Sequence, residues 1–356
     1  RGRGLKKSAI QSNLKAVKES TWEKLNRCLC RYAEEQKLED GAVVRGDTTV
    51  VETNIHYPTD AGLLNDVVRV LSRNLSSAKD ILGPVVQYVD HRRRAKSKLN
   101  IINNTKSEAK QRPDYLELIR ITRETVGAAE AMLPGIKNSF GVDPIEGAIL
   151  DGVAVALETH IPQAKKVVDQ AYRRVVKSEK VPATEKLVSI FEEHTDIIVK
   201  GQRETEFGHK IVLTTGKSAL ILSLKVLEGN PKDSTLFPDM LAEHEKNYGK
   251  VPVAMALDGC FASAANRDLA KTAGVSNLTF CKNLGMDLKS LMDAPQLHKL
   301  LRNFRTGVEG CISFAKRMFG FLRVFDKGQE SFGAALHMGA VAYNLTLLAR
   351  MTLAQV

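Results

Sequence analysis

Apolar positions along the chain fall into two textures. Over residues 5–37 and 62–182 they recur at helical intervals of three to five residues. Leu14, Val17, Trp22, Leu25, Leu29 and Ala33 mark the first stretch, with Ser20 placed to cap its second helix. The second holds three runs, 64–86, 116–133 and 161–175, with Pro134-Gly135 as a predicted break. Elsewhere the chain is strand-like. AVVRGDTTVVET (42–53) is rich in β-branched residues and predicts a strand. From about residue 194, HTDIIVKG, FGHKIVLTTGKS and ALILSLKVLEGNP predict an antiparallel meander, with turns at Gly201, Gly208, Gly216 and Gly229. A helix over 235–248, a core strand over 251–259, a helix over 262–275 and a strand at NLTFCKN follow. LRVFDK (322–327) reads as a short edge strand, and 329–354 as an apolar closing helix.

These elements divide the chain into a helical segment (1–41), a first strand region (42–61), an all-α insertion (62–190) and a remainder (191–356) that completes the sheet. A meander, a helix, a parallel strand, a helix and a further strand is the order of an RNase H-like α/β fold. That fold is a mixed five-stranded sheet flanked by helices, here with a large all-α insertion after the first strand that is expected to close the site from one side. Its first and fourth strands are neighbours.

Charge adds a partner class. Among 356 residues, 52 Lys and Arg face 41 Asp and Glu, a formal charge of +11. Such an excess points to a polyanion, nucleic acid ahead of membrane. Arg92, Arg93, Arg94, Lys96 and Lys98 open a segment, 92–112, with eight basic residues and one acid, Glu108. Such a segment suits contact with phosphates, and a solvated loop is the competing reading. The five cysteines have no knuckle spacing and read as reduced thiols of a cytosolic protein. No run of 18 apolar residues and no signal peptide is visible, so no membrane span is expected. The chain begins at Arg1 without Met, and 1–41 is expected to be the end of a truncated DNA-binding region.

Three acids stand out against this background. Asp47 sits in a valine-rich strand, where a carboxylate is costly to bury unless paired, protonated or metal-bound; a cap after Gly46 is the bland alternative. Asp258 ends a core strand just before Gly259, a common active-site position in α/β folds. In the stretch 301–320, helical spacing puts Arg305, Glu309 and Lys316 on one face, opposite Val308, Cys311, Ile312, Ala315, Met318 and Phe319. Gathered carboxylates stay ionised only beside a cation. Oxygen-only ligands select Mg²⁺ or Mn²⁺, and a pair of such ions supports phosphodiester chemistry. No His/Cys cluster for zinc is apparent, and TTGKS (214–218) lacks the upstream glycine of a phosphate-binding loop.

Arg305-x3-Glu309-x6-Lys316 resembles the third-carboxylate signature of bacterial insertion-sequence DDE transposases, Tyr-x2-Arg-x3-Glu-x6-Lys. GDTTVVETNIHYPTD is similar to the first-Asp strand and LDGCFAS to the second-Asp turn, particularly in the ISNCY-like branch. The likeness spans nearly all of residues 10–350, and Arg302 stands where the family has tyrosine. It implies that Asp47 contacts two Mg²⁺ or Mn²⁺ ions, that Asp258 and Glu309 hold one each, and that Arg305 and Lys316 touch phosphates of a transposon end. His56 and Arg302 are secondary candidates; His194 and His209 read as surface or sheet residues. The implied activity is metal-dependent cleavage and strand transfer on double-stranded DNA, at terminal inverted repeats and a target, by a homodimer or larger oligomer. The implied setting is the bacterial cytoplasm, at the nucleoid, with no membrane. A nuclease that only hydrolyses and a catalytically silent DNA-binding remnant are the alternatives.

Overall fold

The computed structural model describes residues 6–139, 142–199 and 204–354. The chain forms two compact units, Arg1–Asn54 with His194–Val356, and Ile55–Glu193. The second is the all-α insertion, with boundaries a few residues outside the expected 62–190.

Two helices, α1 (Lys7–Ala16) and α2 (Glu19–Glu35), precede strand β1 (Val43–Glu52). Lys18, not Ser20, occupies the N-cap of α2, and no side chain caps it. The insertion then supplies α3 (Asp60–Leu82), α4 (Arg92–Asn104), α5 (Glu108–Lys137) and α6 (Pro144–Val175). Its core is a continuous apolar cluster that includes Leu64, Leu71, Leu75, Leu118, Ile121, Leu157 and Val167. Pro134-Gly135 does not break α5 as the sequence predicts; buried Ile136 holds the last turn down, and the Pro134 carbonyl accepts a hydrogen bond from Asn138 N. The basic segment from Arg92 is a helix rather than a loop, because Ala95, Leu99 and Ile102 bury one face of it.

The first unit resumes with β2 (Asp196–Ile198), β3 (Glu206–Thr215) and β4 (Ile221–Val226), then α7 (Phe237–Tyr248), β5 (Ala254–Leu257) and α8 (Ala264–Ala273). It ends with β6 (Asn277–Phe280), α9 (Leu288–Leu291), α10 (His298–Met318) and α11 (Gln329–Leu353). The open mixed sheet has six strands rather than five. Its path is β2-β3-β1-β5-β6, and β4 shares the outer edge of β3 with β2. β1 runs antiparallel to β3 and parallel to β5, and β6 is parallel to β5.

Gly208 is no turn: it lies inside β3 opposite Glu52, where a Cβ would sit 2.0 Å from the Val51 carbonyl oxygen. Gly201 lies outside the described residues. The expected edge strand at 322–327 reduces to one bridge, Glu52 to Arg323. One sheet face packs on α10 and α11 through Ile211, Val308, Ala315, Phe332 and Tyr343. The other packs on α7 and α8 through Phe237, Met240, Met255, Phe261 and Ala270. Among the described residues α11 alone is long and apolar enough to cross a membrane, yet 56% of that window is buried inside the fold.

Candidate active site at the ends of β1 and β5

The register of the parallel pair β1–β5 matches Gly46 with Leu257. Asp47 and Asp258 are the next residues on the two strands, so adjacent backbones carry them to the same place. Alternation along β1 turns Arg45 and Asp47 to one face and Gly46 and Thr48 to the other. A Cβ at Gly46 would meet Met240 of α7 at 2.5 Å, so Arg45 and Asp47 face α10.

Arg45 fixes that helix. Its guanidinium is buried, donates from Nε to Thr215 Oγ1 at 2.9 Å and from Nη1 to the Phe304 carbonyl at 2.8 Å, and lies over the Phe304 ring. The approach depends on Gly307, where a Cβ would lie 2.0 Å from Arg45 Nη1. A backbone carbonyl on α10 is thereby tied to β1, and the helix presents Arg305 and Glu309 to the strand ends.

All three sequence-identified acids then meet one guanidinium. Arg305 Nη2 lies 2.9 Å from Asp47 Oδ2 and 3.4 Å from Asp258 Oδ1, and Nη1 lies 2.8 Å from Glu309 Oε1. The Arg305 side chain is 10% exposed and Asp47 16%, whereas Asp258 is 34% and Glu309 64% exposed, so the cluster opens toward solvent on the Glu309 side. Burial opposes the charge on Arg305, but the fields of Asp47 and Asp258 outweigh it and raise its pKa above the ordinary arginine value. Three carboxylates against one guanidinium leave the cluster negative. Burial first, then Asp258, Asp233 and Asp47, raise the neighbouring Cys260 thiol; burial also raises Cys281, with Arg305 pulling the other way.

The chemistry of the donors fits a hard divalent cation: three carboxylates supply only oxygen. Their ligand atoms are nonetheless spread around Arg305. Among the described residues the trio whose ligand atoms all lie within 4.8 Å of one another is a different one, Glu19, Glu23 and His337. The expectation that Arg305 meets a phosphate is therefore set beside an observed role as counter-ion to the acids.

The other expected residues are distributed as follows. Lys316 is half-buried two turns beyond Glu309 on α10, and Arg302 is exposed on the turn before Arg305. Met318, assigned to the apolar face, is 67% exposed near the helix end. His56 belongs to the helical unit, with Nε2 3.4 Å from Asp66 Oδ2. On α4, Arg92 pairs with Asp90, Arg94 with Glu117 and Lys98 with Asp114, while Arg93 and Lys96 line an open groove with Asn100 and Asn104. His209 is buried in the sheet, stacked on His194 and 2.9 Å from Asp196.

Two participants were not singled out from sequence. Arg45 stands two residues before Asp47, and the strand period of two would have placed both on one face. Asp233 accepts from Thr48 Oγ1 at 3.2 Å and pairs with buried Lys210 at 2.5 Å, on the face of β1 opposite Asp47, and its field reaches the Cys260 thiol. No pattern in GNPKDST announces it. In comparisons with known proteins, the chain matched no family model, no curated protein and no solved structure.

Proposed function

We propose that the chain is a DDE transposase with an RNase H-like catalytic unit, cutting and joining double-stranded DNA at the ends of an insertion sequence. The observation that carries this reading is the convergence of Asp47, Asp258 and Glu309, from two adjacent parallel strands and a helix, on one guanidinium. Strand order supports it: β4-β3-β1 antiparallel, then β1-β5-β6 parallel, with β2 as an addition at the edge.

Asp47, Asp258 and Glu309 would hold Mg²⁺ or Mn²⁺. Bound there, such ions supply an activated water or 3′-hydroxyl and charge neutralisation at the leaving oxygen. The chain's own residues do the rest. Arg45 and Gly307 hold α10 so that Glu309 faces the strand ends. Arg305 keeps the carboxylates gathered, and its two nitrogens become phosphate donors when the acids release it. Lys316 and Arg302 extend the cationic side of α10 along a DNA backbone, and Arg93 and Lys96 on α4 add sequence-independent contacts. Terminal inverted repeats and target DNA are the partners, a homodimer or larger oligomer the working form, and the bacterial cytoplasm at the nucleoid the setting.

The test first seeks inverted repeats on either side of the coding region, then uses DNA that carries them, with Mg²⁺. Cleavage and joined product are expected from the wild type. Asp258→Asn and Glu309→Gln should each lose several kcal/mol of charge stabilisation, at least about a hundredfold in rate. Unchanged cleavage in either variant overturns the reading. Hydrolysis without joining would leave a nuclease. The seating of Arg305 among the acids also suits a silent DNA-binding remnant, for which Mn²⁺ binding would not depend on the three carboxylates.

A further inference from the structure

We propose that Glu19, Glu23 and His337 form a second metal site, for one divalent cation of the zinc class, which ties α2 to α11. It stands apart from the β1–β5 acids, on different elements, and does not depend on the proposed transposase activity.

Glu19 and Glu23 are one helical turn apart and project from the same face of α2. His337 faces them from the middle of α11. Its Nε2 lies 3.3 Å from Glu19 Oε1 and 3.7 Å from Glu23 Oε1, and all three ligand atoms fall within 4.8 Å of one another. Zinc bonds of about 2.0–2.1 Å at tetrahedral angles hold ligand atoms roughly 3.3 Å apart, so small side-chain adjustments admit an ion.

The ring nitrogen itself points to a ligand. His337 is only 3% exposed, and its Nε2 is buried without a hydrogen-bond partner. It lies within ion-pairing distance of both carboxylates yet makes no hydrogen bond to either, and a metal would join all three groups where a proton would serve one carboxylate at a time. Beside the ring lies a cavity of about 20 Å³, lined by Glu23, Asn26, Arg27, Asn247 and His337 among others, with Glu19 outside its lining. That is the space of a single water or ion.

Two further details fit. Arg27 reaches Glu23 through Oε2, at 3.6 Å, which leaves Oε1 to the site. A Cβ at Gly333 would lie 2.1 Å from Glu19 Oε2, so the missing side chain one turn before His337 is what lets that carboxylate sit against α11. The glutamates are 39% and 40% exposed, which gives the ion a path from solvent, and a water completes the coordination. One imidazole and two carboxylates favour Zn²⁺ over Mg²⁺, because nitrogen ligands suit the softer ion.

The experiment is Zn²⁺ competition against a chromophoric chelator, on full-length protein stripped with EDTA. Wild type and the Asp47→Asn/Asp258→Asn double variant should each take one tight equivalent. Glu19→Gln/Glu23→Gln should lose it, with affinity falling by more than the roughly 10- to 100-fold that outer-shell changes cost. Co²⁺ should give the visible absorption of a four-coordinate ion in the wild type and not in that variant. Since the glutamates are half-exposed, their replacement keeps the fold even if His337→Gln does not. Retention of the tight equivalent in Glu19→Gln/Glu23→Gln, or its absence from the wild type, overturns the proposal and leaves a histidine–carboxylate ion pair.

Discussion

Arg305→Gln removes the cation that Asp47, Asp258 and Glu309 share, and the structure sets the size of the effect. Breaking a buried ion pair by removing one partner costs about 3–5 kcal/mol. Glu309 is 64% exposed and Asp258 34%, so their shares fall toward the roughly 0–1 kcal/mol of surface pairs. Asp47, at 16% exposure and 2.9 Å, carries most of the loss. In EDTA the variant should be less stable by about 2–3 kcal/mol, a fall of about 1 M in the urea midpoint. Mg²⁺ should then stabilise the variant more than the wild type, because the carboxylates have lost the counter-ion they share. Trp22, the sole tryptophan, lies on α2 in the unit that holds the site, so its fluorescence reports that unit. Equal midpoints in EDTA, or a larger Mg²⁺ effect on the wild type, would refute the counter-ion argument.

Gly307→Ala places a methyl group where Arg45 Nη1 now lies, and Arg45 is held by Thr215 and the Phe304 carbonyl and cannot swing aside freely. The expected loss is about 1–3 kcal/mol, read by Trp22 during urea unfolding; an unshifted midpoint would show that Arg45 does not pin α10. His244 is buried against Tyr248, with both ring nitrogens unpartnered; burial, then the charge of Lys250, lowers its pKa from 6.5 to about 4. The unfolded chain therefore takes up a proton first as pH falls. The stability tied to this residue is complete above pH 6.5 and is lost as pH falls toward 4, up to about 3 kcal/mol. His244→Phe should flatten urea stability across that window, and a slope equal to that of the wild type would assign the effect elsewhere.

The α/β class and most elements were legible because each rests on local information: period, β-branching and glycine punctuation. β1, α7 with its left-handed Gly249 cap, and α10 fall close to their sequence-read bounds. What was missed depends on burial and pairing that the local pattern does not carry. Pro134 looked like a helix breaker, but the burial of Ile136 overrides the local signal. The basic segment at 92–112 looked suited to phosphates, yet three of its first five cations are paired with Asp90, Glu117 and Asp114. Asp47 and Asp258 were found because local structure makes a carboxylate unusual there, and Glu309 because its spacing to Arg305 and Lys316 resembles a family signature. Glu19, Glu23 and His337 were not, since two glutamates on an amphipathic helix are ordinary and the histidine lies more than 300 residues away.

The identity of the cation on α10 also follows from the geometry. Three acceptors surround it, from β1, from the end of β5 and from α10 itself. The planar guanidinium serves them with two nitrogens, Nη1 to Glu309 and Nη2 to both aspartates. A lysine ammonium is a compact point on a flexible stem, and it lacks the fixed fork that spans this separation. The fork holds the aspartates through one nitrogen and Glu309 through the other. It therefore sets the spacing between strand-borne and helix-borne acids, while leaving the cluster with excess negative charge. Under the proposed function, an incoming divalent cation would be drawn by that excess and would compete with Arg305 for the same oxygens. Under the proposed function, a phosphate arriving along α10 gives the displaced guanidinium a partner, so nucleic-acid binding and loading of the carboxylates favour one another.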